Sequence, residues 1–196
     1  FMIVEGYFHT KNLKKYVLRL FIFALISEIP FNLVMSSSWI SPLHQNVLWT
    51  FLIGILLIFL NEKANKKALW VRILVFVGTV LLGCLLGIIT FVDYNHGGVL
   101  IILMFYLFRE RKWWALLGQI VCLYFISVEV ISGQFIPIVL FGKTFELVVQ
   151  AFSVLALIPI WLYRGKQGLY NKALRYLYYG FYPAHLLLFA LIRMFM

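Results

Sequence analysis

Long apolar runs separated by short polar breaks organise the whole chain. The runs fall at 1–8, 16–36, 46–61, 71–92, 97–109, 113–135, 145–163 and 176–196. They are continuous, not alternating, so they predict helices and not the period-two strands of a barrel. A helix crossing a bilayer needs roughly 20 apolar residues. The expected fold is therefore all-α: a polytopic transmembrane helical bundle of about seven full spans plus a truncated first one. It forms one domain over 1–196, with no linker and no internal repeat. Segment 97–109 is short for a span, which tilt, local thinning of the membrane or a tight hairpin with 71–92 would accommodate.

The breaks are not equivalent. Lys11/Lys14/Lys15/Arg19, Lys63/Lys66/Lys67/Arg72, Arg109/Arg111/Lys112 and Arg164/Lys166/Lys172/Arg175 hold 15 of the 17 basic residues. The alternate breaks near 37–45 and 93–97 hold none, and that at 131–143 holds Lys143. Such alternation is the positive-inside pattern and predicts basic loops in the cytoplasm. Trp39, Trp70, Trp113, Trp114 and Trp161 lie near run ends, where interfacial aromatics sit.

Composition sharpens this reading. The chain is 64% hydrophobic and 12% charged, against about 25% charged for a soluble domain. A net charge of +10 would suggest nucleic acid in a soluble protein, but cations at the ends of apolar runs fit anionic headgroups instead. The lipid bilayer is the expected partner, and no nucleic acid. Cys84 and Cys122 fall inside apolar runs and read as small buried thiols. No His/Cys cluster has metal-ligand spacing, so no metal is expected.

Ionisable groups within a bilayer are costly, so each is a candidate site. Glu5 and His9 share one helical face at the cytoplasmic edge, either as a helix-end hydrogen bond or as a proton-transfer site. Glu28 sits in Ser27-Glu28-Ile29-Pro30-Phe31-Asn32, where Pro30 frees a backbone carbonyl. The kink is either capped by its neighbours or lines a cavity. Glu28, Asn32, Asn46, Thr50, Asp93 and His96 all fall in the outer half by this topology, and sequence alone does not show whether they face one another across three helices. His185 lies about ten residues into the last run, near mid-membrane, after Tyr182-Pro183-Ala184, as a buried structural histidine or a base. The inner-rim cations are topology anchors or phosphate ligands. Tyr163-Arg164-Gly165-Lys166-Gln167-Gly168 is the best phosphate-binding stretch, since its glycines permit close backbone approach.

Several of these stretches together resemble the TraX family: Phe1–Asn12, Lys15-Tyr16, Arg19-Leu20, Ser27–Asn32, Asn46–Thr50, Asp93-Tyr94, Arg164–Gly168 and Phe181–Leu186. The resemblance runs over essentially the whole chain. It implies a bacterial cytoplasmic-membrane protein that moves an acetyl group from acetyl-CoA to an acceptor amine or hydroxyl. The acceptor would be a pilin N-terminus, as in F-pilin acetylation, or a surface glycan. It also implies an earlier span with an Asp-His-Ile-Gly-like motif, and the chain begins at Phe1 inside an apolar run. On this reading His185 or His9 deprotonates the acceptor, with Glu28 and Glu5 orienting or balancing charge. Lys15, Arg19, Arg164 and Lys166 hold CoA phosphates, and Asn32, Asn46, Asp93 and Tyr182 hold the acceptor. A proton-coupled transporter or export component is the competing reading, because an intramembrane carboxylate on a Pro-broken helix also suits solute passage. A non-catalytic assembly scaffold is the third.

Overall fold

The computed structural model describes residues 1–140, 143–163, 165 and 171–195. Eight α-helices are present among them: α1 (Met2–His9), α2 (Leu13–Ser36), α3 (Val47–Ala64), α4 (Leu69–Ile89), α5 (Asn95–Leu107), α6 (Trp113–Phe125), α7 (Leu157–Leu162) and α8 (Lys172–Phe195). Polar residues in the breaks set several starts. Asn12 Oδ1 accepts from Lys15 N at 3.0 Å and opens α2. Asn46 Oδ1 accepts from Leu48 N at 3.1 Å and opens α3. Asn171 Oδ1 accepts from Leu174 N at 2.7 Å and opens α8. Each satisfies an amide that the helix itself leaves free.

The protein is a helical membrane protein. Leu13–Ser36, Val47–Ala64, Leu69–Ile89 and Trp113–Ile131 are long and apolar enough to cross a bilayer. That makes four such helices among the described residues, not about seven. Helix α5 has 13 residues, about 20 Å, short of a hydrocarbon core of about 30 Å. It folds back on α4 as a tight hairpin. A Cβ on Gly87 of α4 would lie 2.8 Å from His96 Cα and 2.9 Å from the Asn95 carbonyl, so glycine is what allows the two backbones to touch.

The largest departure from an all-helical chain follows α6. Its helix passes into a π-helical turn over Ile126–Ile131 and stops at Ser132, whose φ is 51°. Gly133, at φ 127°, completes the break. The expected run 145–163 then begins as a strand. β1 (Phe135–Leu140) pairs antiparallel with β2 (Lys143–Val148), Phe135 opposite Val148. Both strands are rich in aromatic and β-branched residues, which favour extended backbone. A continuous-hydrophobicity criterion does not separate such a stretch from helix. A 3₁₀ segment (Val149–Ala156) leads into α7, where Pro159 sits in the first turn, the one part of a helix that tolerates it.

Helix α2 packs most extensively on α8, and α3 lies among α1, α2, α4 and α5. The α2–α8 pair runs parallel. Arg19 Nε donates to the Tyr179 hydroxyl at 3.5 Å near one end, and Arg193 donates to the Val34 carbonyl near the other. The core is apolar and includes Val4, Ile58, Ile102, Leu123 and Leu157. The outer faces are apolar too. Leu25, Ile26 and Ile29 on α2, and Leu74, Val77 and Leu81 on α4, are exposed, as side chains that meet lipid would be.

Candidate functional site

The connection between α2 and α3 does not stay at the end of the bundle. It folds back down along α2, so that Asn46 Nδ2 donates to the Ala24 carbonyl at 2.9 Å. Ala24 lies about 18 Å below the Ser36 end of α2 at ~1.5 Å per residue. His44 meets the buried Phe31 ring edge-on on the way, centroids 5.0 Å apart. The turn after α4 joins this connection through backbone bonds. Gln45 N donates to Phe91 O at 2.8 Å, and Asp93 N donates to Gln45 O at 2.9 Å. Two polar connections are thereby held against the middle of α2 and α8.

This fold-back assembles the site around Glu28. Its Oε2 accepts from Asn46 Nδ2 and, at 3.0 Å, from Trp49 Nε1. Its Oε1 is buried and has no partner among the described residues. The same holds for Ser27 Oγ, on the residue just before Glu28, and for Asn32 Oδ1, one turn further along α2. Buried polar atoms without partners are uncommon in native proteins, and here they gather at one place. Thr50 Oγ1 donates to the Asp93 carbonyl at 3.2 Å. The Asp93 carboxylate faces His44, with Oδ1 3.4 Å from Nε2. Burial pushes the Asp93 carboxyl above its ordinary value, and the hydrogen bond from His44 works against that shift. Tyr182 of α8 places its hydroxyl at the Val47 backbone N–H and senses the charges of both Asp93 and Glu28.

The expected site residues separate into two groups. Glu28, Asn46, Asp93 and Tyr182 come together, with Asn32 one turn along α2 from Glu28. His185 adjoins them through Tyr182, their rings 5.4 Å apart. Its Nδ1 donates to the Phe181 carbonyl at 2.9 Å, and Phe181 and Phe189 flank its ring. Glu5 and His9 lie at the other, basic end of the bundle. Glu5 accepts from Arg109 Nε at 3.0 Å, and His9 Nδ1 donates to the Glu5 carbonyl at 2.9 Å. Glu62 at the same end accepts from the Tyr106 hydroxyl at 2.8 Å. Along α3, Asn46 and Glu62 are about 24 Å apart. Arg19 is half-buried against Tyr179, and Lys15 is exposed near the start of α2. Arg164 and Lys166 lie outside the described residues.

Residue-by-residue reasoning missed His44 and Trp49, the partners of Asp93 and Glu28. A signal was present in the polar triplet His44-Gln45-Asn46 just before an apolar run. A cavity of about 670 Å³ has Asp93, Thr50 and Tyr163 in its lining. Tyr163 belongs to the basic end, where Arg111 donates to its carbonyl and to those of Ile160 and Trp161. A second cavity, about 470 Å³, opens at the basic end between Asn61, Asn65, Arg72, Tyr106 and Arg109. Among the described residues no cluster of three or more His, Cys, Asp or Glu is arranged to hold a metal.

The family model described as TraX protein covers residues 1–193. No curated protein and no solved structure matches the chain.

Proposed function

The chain belongs to the TraX family, and we propose that it is an integral-membrane acetyltransferase acting from acetyl-CoA on an acceptor amine or hydroxyl. The observation that carries this reading is the 670 Å³ cavity whose lining holds both Asp93 of the carboxylate end and Tyr163, the residue whose carbonyl Arg111 binds. An acyl transfer with an anionic donor needs cations for the donor phosphates and a separate site for proton transfer. The sequence puts those groups in different breaks, and the cavity lining draws on both ends.

On this reading the basic end faces the cytoplasm of a bacterial cytoplasmic membrane and receives acetyl-CoA. Lys15, Arg19, Arg164 and Lys166 hold its phosphates, joined by Arg72 and Arg109 at the second cavity. The acceptor, a pilin N-terminus or a surface glycan, enters at the carboxylate end. Asn32, with its free Oδ1, and Tyr182 orient it. Glu28 keeps one carboxylate oxygen for it, while Asn46 and Trp49 fix the other. His185 positions Tyr182 by ring contact. Glu5 and His9 shape the basic end with Arg109.

The test is release of free CoA thiol by the purified protein in nanodiscs, with an Ala-terminated peptide as amine probe and octyl glucoside as hydroxyl probe. Acetyl transfer predicts release that depends on one probe and labels it. A transporter predicts no release and, in proteoliposomes without any acetyl donor, uptake driven by a pH gradient.

A further inference from the structure

We propose that His44, held by Asp93, is the general base that takes the acceptor's proton; this rests on the acetyl-transfer reading above. Four observations carry it. First, His44 Nε2 lies 3.4 Å from Asp93 Oδ1. A carboxylate there keeps the proton on Nε2 and leaves the Nδ1 lone pair as acceptor. Second, Asp93 lines the 670 Å³ cavity and so links His44, which is not itself part of the lining, to its wall. Third, the imidazole is held without being sealed. Phe31 braces one edge, and 44% of the side chain stays accessible.

Fourth, the turn that presents Asp93 is strained. Phe91, Tyr94 and Asn95 have φ of 50°, 59° and 46°. Bulky residues rarely adopt the left-handed region, and such residues concentrate where a side chain must be held in one place. Backbone bonds from Gln45 to Phe91 and Asp93 lock this turn to the His44 connection.

The other histidines are placed differently. His185 spends its Nδ1 proton on its own helix and is flanked by rings. His9 belongs to the basic end, beside a carboxylate that Arg109 already holds. His96 Nδ1 is buried without a partner among the described residues and lines a smaller, adjoining cavity of about 270 Å³ with Ser132 and Gly133, away from Asp93.

The acceptor N–H or O–H proton passes to His44 Nδ1 while the acceptor heteroatom bonds to the acetyl carbonyl carbon. The tetrahedral adduct collapses with cleavage of the C–S bond. The departing CoA sulfur takes the proton back from the imidazolium, so the base is regenerated. Tyr182 of α8 lies near both Asp93 and Glu28 of α2, and His96 follows Asp93 on α5. A pH profile is therefore assigned by substitution and not by its shape.

The experiment measures acetyl transfer to the probe that wild type uses, from pH 5 to 9, for wild type, His44→Gln, Asp93→Asn and His44→Ala. The expected result is a loss of kcat of about 100-fold or more in His44→Gln, the usual contribution of a general base. KM for acetyl-CoA should stay within about twofold, and the rising limb of the wild-type pH–rate profile should vanish. Added imidazole should restore part of the His44→Ala rate. Asp93→Asn should keep a limb but displace it, which serves as the readout if His44→Gln fails to elute as a folded species. Transfer by wild type together with wild-type kcat and pH profile in His44→Gln would overturn the dyad and leave acetyl transfer standing. No CoA thiol release by wild type would overturn both.

Discussion

At the scale of single residues, Asn46 does two jobs with one side chain. Its carbonyl oxygen caps α3 and its amide holds Glu28 Oε2 and the Ala24 carbonyl. Asn46→Ala removes the cap and leaves a buried carboxylate with Trp49 alone. We expect a loss of about 1–3 kcal/mol, the cost of a buried polar group left unpaired, read as a lower unfolding temperature in detergent. Asn46→Asp keeps the cap but sets a second carboxylate against Glu28, and should be as damaging at neutral pH and milder in acid. Asp93 supplies a pH effect of defined sign. Burial raises its pKa in the folded chain above 3.8, so between that value and the raised one the folded state binds more protons than the unfolded. Stability must fall as pH rises through that window. Asp93→Asn should flatten that part of the stability curve, and an unchanged slope would remove Asp93 as its source. That Glu28, Asn46, Thr50 and Asp93 share one half of the bundle was legible in the sequence from the charge pattern, but which of them touch was not, because that depends on how the connections fold. Trp49 was not legible as a partner, since an indole near a run end reads as an interfacial anchor.

At the scale of elements, the apolar runs located the helices well. The run 16–36 became Leu13–Ser36, and 71–92 became Leu69–Ile89. The short run 97–109 became Asn95–Leu107, and of its three explanations the hairpin with α4 is the one the structure shows. Hydropathy failed at 135–148, because period and apolarity do not separate a short buried strand from helix. It also did not show that the 37–46 connection folds into the bundle, which depends on long-range bonds from Asn46 to Ala24 and Glu28 and between Gln45 and the Phe91–Asp93 turn. The α4–α5 contact gives a direct test. Gly87→Ala sets a methyl against the backbone of Asn95 and His96, which has no flexible end to move. Overpacking of this kind costs about 1–3 kcal/mol. Because Asn95 and His96 directly follow the Asp93 turn, the same substitution should reduce acetyl transfer. Gly78→Ala on the same helix meets nothing within 4 Å and should raise stability slightly, since alanine favours helix over glycine by roughly 1 kcal/mol. Equal unfolding temperatures for the two variants would show that the close approach at Gly87 is not what fixes the hairpin.

At the scale of the whole molecule, orientation decides whether the two ends can serve two compartments. The alternation of cations predicts it from sequence, and the structure adds a geometric constraint. Glu5, Arg109, Glu62 and Tyr106 cluster at one end through contacts between α1, α3 and α5, while Asn46, Asp93 and Tyr182 cluster about 24 Å away along α3. A polar connection that folds back to the middle of α2 brings the acceptor site below the surface, which shortens the distance an acetyl group must cross. Compartment reporters fused after Ile40 and after Asn95 should both read the side opposite the cytoplasm. Reporters after Lys66 and after Arg111 should both read the cytoplasm. A cysteine placed at Ile40 should react with an impermeant thiol reagent from outside, and one at Lys66 only after the membrane is opened. If Ile40 and Lys66 labelled from the same side, α3 would not cross the bilayer. The cavity would then border two regions of a single face, and acetyl-CoA and acceptor would have to approach from the same compartment.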